Sequence, residues 1–96
     1  MTKYVRTEIV TLEGKLYVSG ALTDANGDHK VYVEDPAGAL VVNGEDATKV
    51  STGLYRYNYT LTSSSLLGGY KADMVLEYGS VPQRPQIFFE VISEAK

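Results

Sequence analysis

Apolar and polar residues alternate along most of this chain. Between Tyr70 and Tyr78 the residues Tyr70, Ala72, Met74, Leu76 and Tyr78 fall on one face, and Lys71, Asp73, Val75 and Glu77 on the other. That period of two is the mark of a half-buried β-strand. The same pattern, with turn residues between, predicts strands at about 4–12, 15–23, 29–34, 39–42, 53–62, 70–78 and 86–93. Glu13-Gly14 reads as a two-residue hairpin connection between the first two. That register sets Ile9 opposite Val18, Val5 opposite Leu22 and Leu16 opposite Thr11 on the core face. It leaves Val10, Leu12 and Tyr17 on the outer face.

In the third strand Val31 and Val33 point inward. Asp35-Pro36-Ala37-Gly38 suits a type I turn, with Asp first, Pro second and Gly fourth. Asn43 to Asp46 reads as another turn and Ala47 to Thr52 as a connector. In the fifth strand Tyr55, Tyr57, Tyr59 and Leu61 share one face, so their hydroxyls need partners or the sheet margin. Pro82 and Pro85 stiffen the loop Gly79–Pro85. In the last strand Ile87, Phe89 and Val91 face one way, and Phe88 and Ile92 the other. No stretch carries a helical period. Many short strands with closely spaced turns predict an all-β sandwich or barrel.

Bulk properties narrow this further. Ninety-six residues predict one domain, 1–96, too small for two cores. The chain has no cysteine, which excludes disulfides and thiolate metal sites. Its formal net charge is −3, and its basic residues are scattered singly. No basic face is visible for phosphate neutralisation, so no nucleic-acid partner is expected. No apolar run reaches bilayer length, so no membrane span is expected either. Met1-Thr2-Lys3-Tyr4 lacks the apolar core of a signal peptide. If Met1 is the native start, the chain is expected to be made and left in the cytosol.

The corner Leu67-Gly68-Gly69-Tyr70 resembles the start of strand F in an immunoglobulin-like sandwich. Ala72 stands where a disulfide-bonded domain carries its second cysteine, and Asp24-Ala25-Asn26-Gly27 forms the turn before the third strand. The cysteine pair and the strand-C tryptophan of antibody domains are missing. Val31-Tyr32-Val33-Glu34-Asp35-Pro36-Ala37-Gly38 and Thr52-Gly53-Leu54-Tyr55 are similar to patterns of cysteine-free bacterial and phage immunoglobulin-like modules. The resemblance implies a seven-stranded antiparallel immunoglobulin-like β-sandwich. It implies a structural role for the corner of Leu67, Gly69 and Tyr70, the Tyr70 hydroxyl tying the preceding loop to the sandwich. Small chains of this kind resemble accessory proteins of phage virions, which implies head, neck or tail proteins as partners and the virion as location.

Chemistry-bearing residues add little. Asp24, Asn26 and Asp28 mimic the opening of a calcium loop, but His29 stands where that loop requires glycine. His29 is the lone histidine, and Glu34 and Asp35 point to opposite sides of a strand. Ser63, Ser64 and Ser65 have no evident base, so no triad forms. Glu45-Asp46 reads as a solvated turn. Asn58-Tyr59-Thr60 is a glycosylation sequon in mid-strand, read as chance. No catalytic residue, metal or cofactor is expected, and a small enzyme is disfavoured. The expected contacts are with protein, a second copy of the chain included: Val10, Leu12, Tyr17, Phe88 and Ile92 as apolar strand surface, and Pro82, Arg84 and Pro85 at a stiff loop. The alternative is a carbohydrate-binding or adhesin module in which Tyr17 and Tyr32 stack on sugars.

Overall fold

The computed structural model of the chain describes residues 2–93. Residues 1 and 94–96, the ends of the expected domain, lie outside them. The fold is all-β. Its strands are β1 (Thr2–Val5), β2 (Ile9–Lys15), β3 (Tyr17–Val18), β4 (Ala21–Leu22), β5 (His29–Glu34) and β6 (Leu40–Asp46). Beyond these lie β7 (Thr48–Ser51), β8 (Leu54–Thr60), β9 (Gly68–Tyr78), β10 (Val81–Gln83) and β11 (Gln86–Ile92). One sheet has the order β1-β11-β9-β5-β6, with β10 beside the far end of β9. A second sheet has the order β2-β8-β7, and β3 and β4 form a separate hairpin. All neighbours are antiparallel except β1 and β11, which run parallel.

The inner faces of both main sheets supply one core. Val10, Leu12 and Tyr55 come from the second sheet; Val31, Val33, Tyr70, Ala72, Met74, Leu76, Phe89 and Val91 come from the first. The Tyr70 and Phe89 rings stack at 5.0 Å, and Tyr4 meets Phe89 edge-on at 5.8 Å. The Tyr70 hydroxyl donates to the Leu66 carbonyl at 2.7 Å. Burial raises the Tyr70 pKa above the usual tyrosine value. One bond thus holds the loop before β9 to β9 itself. Tyr78, at the other end of this strand, is exposed, because β9 runs beyond the core there to pair with β10.

The amino-terminal third departs from the sequence expectation. The predicted strand 4–12 is two strands in different sheets. Thr7 takes a left-handed backbone, φ 74°, where the chain crosses between them. The crossing shifts the parity of the β2 residues. Val10 and Leu12 are 1% exposed, whereas Ile9 is 57% exposed. Val10 and Leu12 are therefore core residues, not protein-contact candidates. β2 pairs with β8, not with residues 15–23.

Glu13-Gly14 makes no turn, since both residues lie inside β2. Gly14 serves close packing instead: a Cβ there would sit 2.8 Å from Met74 Sδ and 3.2 Å from Pro85 Cγ. Asn43 to Asp46 continues β6, with Gly44 at φ 80° in a pairing irregularity, and most of the 47–52 connector is β7. Pro82 lies within β10, at a sheet margin where the missing N–H is tolerated. The last strand, β11, is interior, flanked by β1 and β9.

Candidate functional site

One end of the molecule is held together by the segment from Asp24 to His29, which crosses from one sheet to the other. Asp24 Oδ1 accepts from the Gly53 N–H at 2.9 Å, and Asp24 Oδ2 accepts from Lys49 Nζ at 2.7 Å. The Ala25 N–H donates to the Tyr55 hydroxyl at 2.9 Å. Those contacts reach the second sheet. Toward the first sheet, the Asn26 and Gly27 N–H groups both donate to the Glu77 carbonyl, and the Glu77 N–H donates to Asp28 O. Asn26 Oδ1 accepts from the Gly79 N–H at 3.0 Å. His29 Nδ1 bonds the Ala47 carbonyl at 2.8 Å, and its ring stacks on Tyr55. Of the side chains that mimicked a calcium loop, those of Asp24 and Asn26 are thus engaged in tying loops together.

The Lys49 ammonium, then the Gly53 N–H, hold the Asp24 carboxyl below its usual value of 3.8. A carboxyl depressed in the fold stabilises it above the unfolded pKa, and this contribution is lost as pH falls through the folded pKa. Asp24→Asn keeps an acceptor for Gly53 but removes the charge. The variant is expected to lose less stability than the wild type between pH 5 and pH 3, in the units of denaturant midpoints measured at both.

Two hairpin tips project from this end. β3 and β4 are joined by Ser19-Gly20, with φ of 53° and 79°. β9 and β10 are joined by Gly79-Ser80, with φ of 59° and 64°. Both are two-residue loops with positive φ at both central positions, the tight turn that matches strand twist. Gln83 links the hairpins. Its Nε2 donates to the Tyr17 carbonyl at 2.6 Å, and its Oε1 accepts from the Tyr17 N–H at 3.4 Å. A cleft of about 420 Å³ lies between the tips, lined by Tyr17, Val18, Ser19, Tyr78, Gly79, Val81 and Gln83. Tyr17 is 47% and Val81 65% exposed, and Leu22, opposite Tyr17, is also exposed.

The expected site residues separate. Tyr17 meets the stretch containing Pro82 through Gln83, while Arg84 is exposed and Pro85 half-buried just beyond. The loops 24–28, 47–53 and 79–80 converge through the bonds above. Phe88, 52% exposed, and half-buried Ile92 lie elsewhere, on the outer face of the first sheet. Tyr32 shares that outer face and packs over Gly44, so Tyr17 and Tyr32 do not make one platform. Leu22, Tyr78 and Val81 are the members that sequence reading missed. The signal for them was Ser19-Gly20 and Gly79-Ser80, small-residue pairs typical of hairpin turns.

Among the described residues no three His, Asp or Glu side chains gather as a metal group. The Ser65 hydroxyl accepts from the Thr62 N–H, and the Ser64 hydroxyl lies 3.1 Å from that of Thr62, a self-bonded polar loop. A second hollow, of about 430 Å³, is lined by Asp46, Thr48, Val50, Arg56, Tyr57 and Asn58. Its Arg56 is engaged by Glu13, with Nε donating at 2.8 Å.

No family model matches this sequence. No curated protein matches it either. Among solved structures, the chain is similar to a DUF4785 family protein from Legionella pneumophila, with a TM-score of 0.60 and 19% identity. The likeness covers 92% of this chain and 25% of that one. The chain therefore spans about a quarter of the length of the structure it matches. At this identity the likeness is one of fold.

Proposed function

We propose that this chain is an immunoglobulin-like β-sandwich that acts without catalysis, by docking to protein as an accessory component of a phage virion, in the head, neck or tail. Support for the immunoglobulin-like reading comes from the pairing order. β2, β8 and β7 take the places of strands B, E and D, and β11, β9 and β5 those of G, F and C. β9 starts with the Tyr70 corner, its hydroxyl bonded to the backbone four residues upstream, and Ala72 stands at the cysteine position.

The observation that carries the docking reading is the pair of hairpin tips. Tyr17, Leu22, Tyr78 and Val81 present apolar surface on turns whose backbone is already set, so little ordering is lost on contact. A tip of this kind enters a recess on a protein surface. Sugar binding needs directional polar groups converging on the cleft. The Gln83 amide, which would be one, is spent on Tyr17 at both of its ends.

Particles purified on a density gradient from cells carrying the gene are expected to contain the chain in fixed ratio to their major shell protein. Val81→Asp with Tyr17→Ser is expected to strip it from them without changing its melting temperature. A chain found only in the soluble fraction would sink the virion reading. Saturable tyrosine-fluorescence titration with glycans would favour the carbohydrate reading instead.

A further inference from the structure

β1 and β2 follow one another along the chain but lie in different sheets. Residues 5–8 make the crossing as one tight turn. The Glu8 N–H donates to the Val5 carbonyl at 3.3 Å, and the Val5 N–H donates to Glu8 Oε1 at 2.6 Å. Thr7 is the third residue of that turn, with φ 74°. A third turn position with positive φ suits glycine or asparagine. In a left-handed backbone Cβ crowds the following carbonyl oxygen, and a β-branched residue is among the least suited to it. Among the described residues Ser19 and Ser80 also have positive φ, but they are unbranched and sit in hairpin turns whose type calls for it.

Strain of this kind persists only where the surrounding structure imposes it. Here β2 pairs with β8 while β1 pairs with β11 of the same chain, so the link between them must fold back at once. If β1 docked on β11 of a second copy, every strand pairing would be kept and the turn would open. Thr7 would then take the extended backbone that β-branched residues favour. Tyr4, Val10 and Leu12, which all pack in the core, are even-numbered. A straight run from Thr2 to Lys15 therefore keeps them on one side of a period-two strand. β1 is also suited to leave. It has four residues, and among the described residues β11 is its sole strand neighbour. Besides its own two bonds, the turn is held by exposed Arg6, whose Nε donates to the Ser65 carbonyl at 2.7 Å. The place that β1 vacates, with Phe89 ready to meet Tyr4, fits the β1 of another copy by identity.

We infer that β1 is an exchangeable strand: two copies of this chain trade β1 about an opened hinge at Arg6–Glu8, each filling the place beside the other's β11. The exchange is reciprocal, so it closes as a dimer. Short hinges under strain favour this route. The inference does not rest on the docking role of the hairpin tips.

The chain has no cysteine, so introduced thiols report the pairing directly. Lys3 and Glu90 are register partners in β1 and β11, and neighbouring strands lie about 4.8 Å apart, within disulfide range. The chain carrying Lys3→Cys with Glu90→Cys is refolded at high concentration, separated by size into monomer and dimer, and each fraction is mildly oxidised. The dimer is expected to yield disulfide-linked pairs of chains on a denaturing gel, and the monomer closed single chains. In the otherwise native protein, Thr7→Gly is expected to lower the dimer fraction several-fold. Thr7→Pro, whose ring fixes a negative φ, is expected to raise it several-fold. Circular dichroism matching the wild type excludes misfolding as the cause. A dimer whose thiols close within single chains overturns the inference. So does a wild type that refolds only to monomer at every concentration, or a dimer fraction that Thr7→Gly fails to lower.

Discussion

Leu12→Ala is expected to cost about 2–5 kcal/mol of folding stability, whereas Ile9→Ala, three residues earlier, stays within about 0.5 kcal/mol. Leu12 is 1% exposed in the shared core, and Ile9 is 57% exposed. The truncation at Leu12 removes buried methyls and leaves a cavity between sheets that can collapse only in part. For a domain of this size the loss is a large fraction of the total. Chemical denaturation of the two variants reads the difference directly. If Ile9→Ala proved the costlier, the hairpin register of the sequence reading would be restored and the parity shift at Thr7 refuted.

A similar contrast is expected at adjacent residues of β11. Phe89→Ala is expected to cost about 3–5 kcal/mol, and Phe88→Ala less than about 0.5 kcal/mol. Phe89 is buried between the Tyr70 and Tyr4 rings and so joins the corner to β1. Its loss opens a void on which three strands border. Phe88 faces outward, half exposed. Denaturant midpoints for both, at unchanged m-value, test this. Equal costs at the two positions would mean that the outer face of the first sheet is covered.

Strands with a long, clean alternation were legible in the sequence. In β9 the buried set Tyr70, Ala72, Met74 and Leu76 keeps the period of two, and in β11 Phe89 and Val91 do the same. β5 is equally clear, since Val31 and Val33 have polar or aromatic neighbours that can face water. The amino-terminal third was not legible. Val5, Ile9, Val10 and Leu12 offer apolar residues at both parities, so pattern alone cannot find a crossing between sheets. Gly14 compounded this, because close packing against Met74 and a tight turn both call for glycine. The true hairpin signal, Ser19-Gly20, lay inside what read as a continuous strand.

The candidate site was legible only in part. Tyr17 and the proline-bearing stretch stood out, yet their meeting depends on the Gln83 side chain imitating a strand, 66 residues distant along the chain. No local rule gives that pairing. Tyr78 and Val81 looked like the end of a core strand and the start of a loop. Only the β9–β10 hairpin turns them into a tip.

The parallel pairing of β1 with β11 carries a consequence for how the molecule is made. Thr2 aligns with Phe89 and Val5 with Ile92, so the first strand of this fold waits for its last. Until β11 leaves the ribosome, Tyr4 has no Phe89 to pack against and β9 lacks one of its two long neighbours. The two ends must then close a loop of nearly the whole chain, a contact of the highest sequence separation the fold contains and one that slows folding. The sheet therefore stays unfinished until the last strand of this fold has left the ribosome.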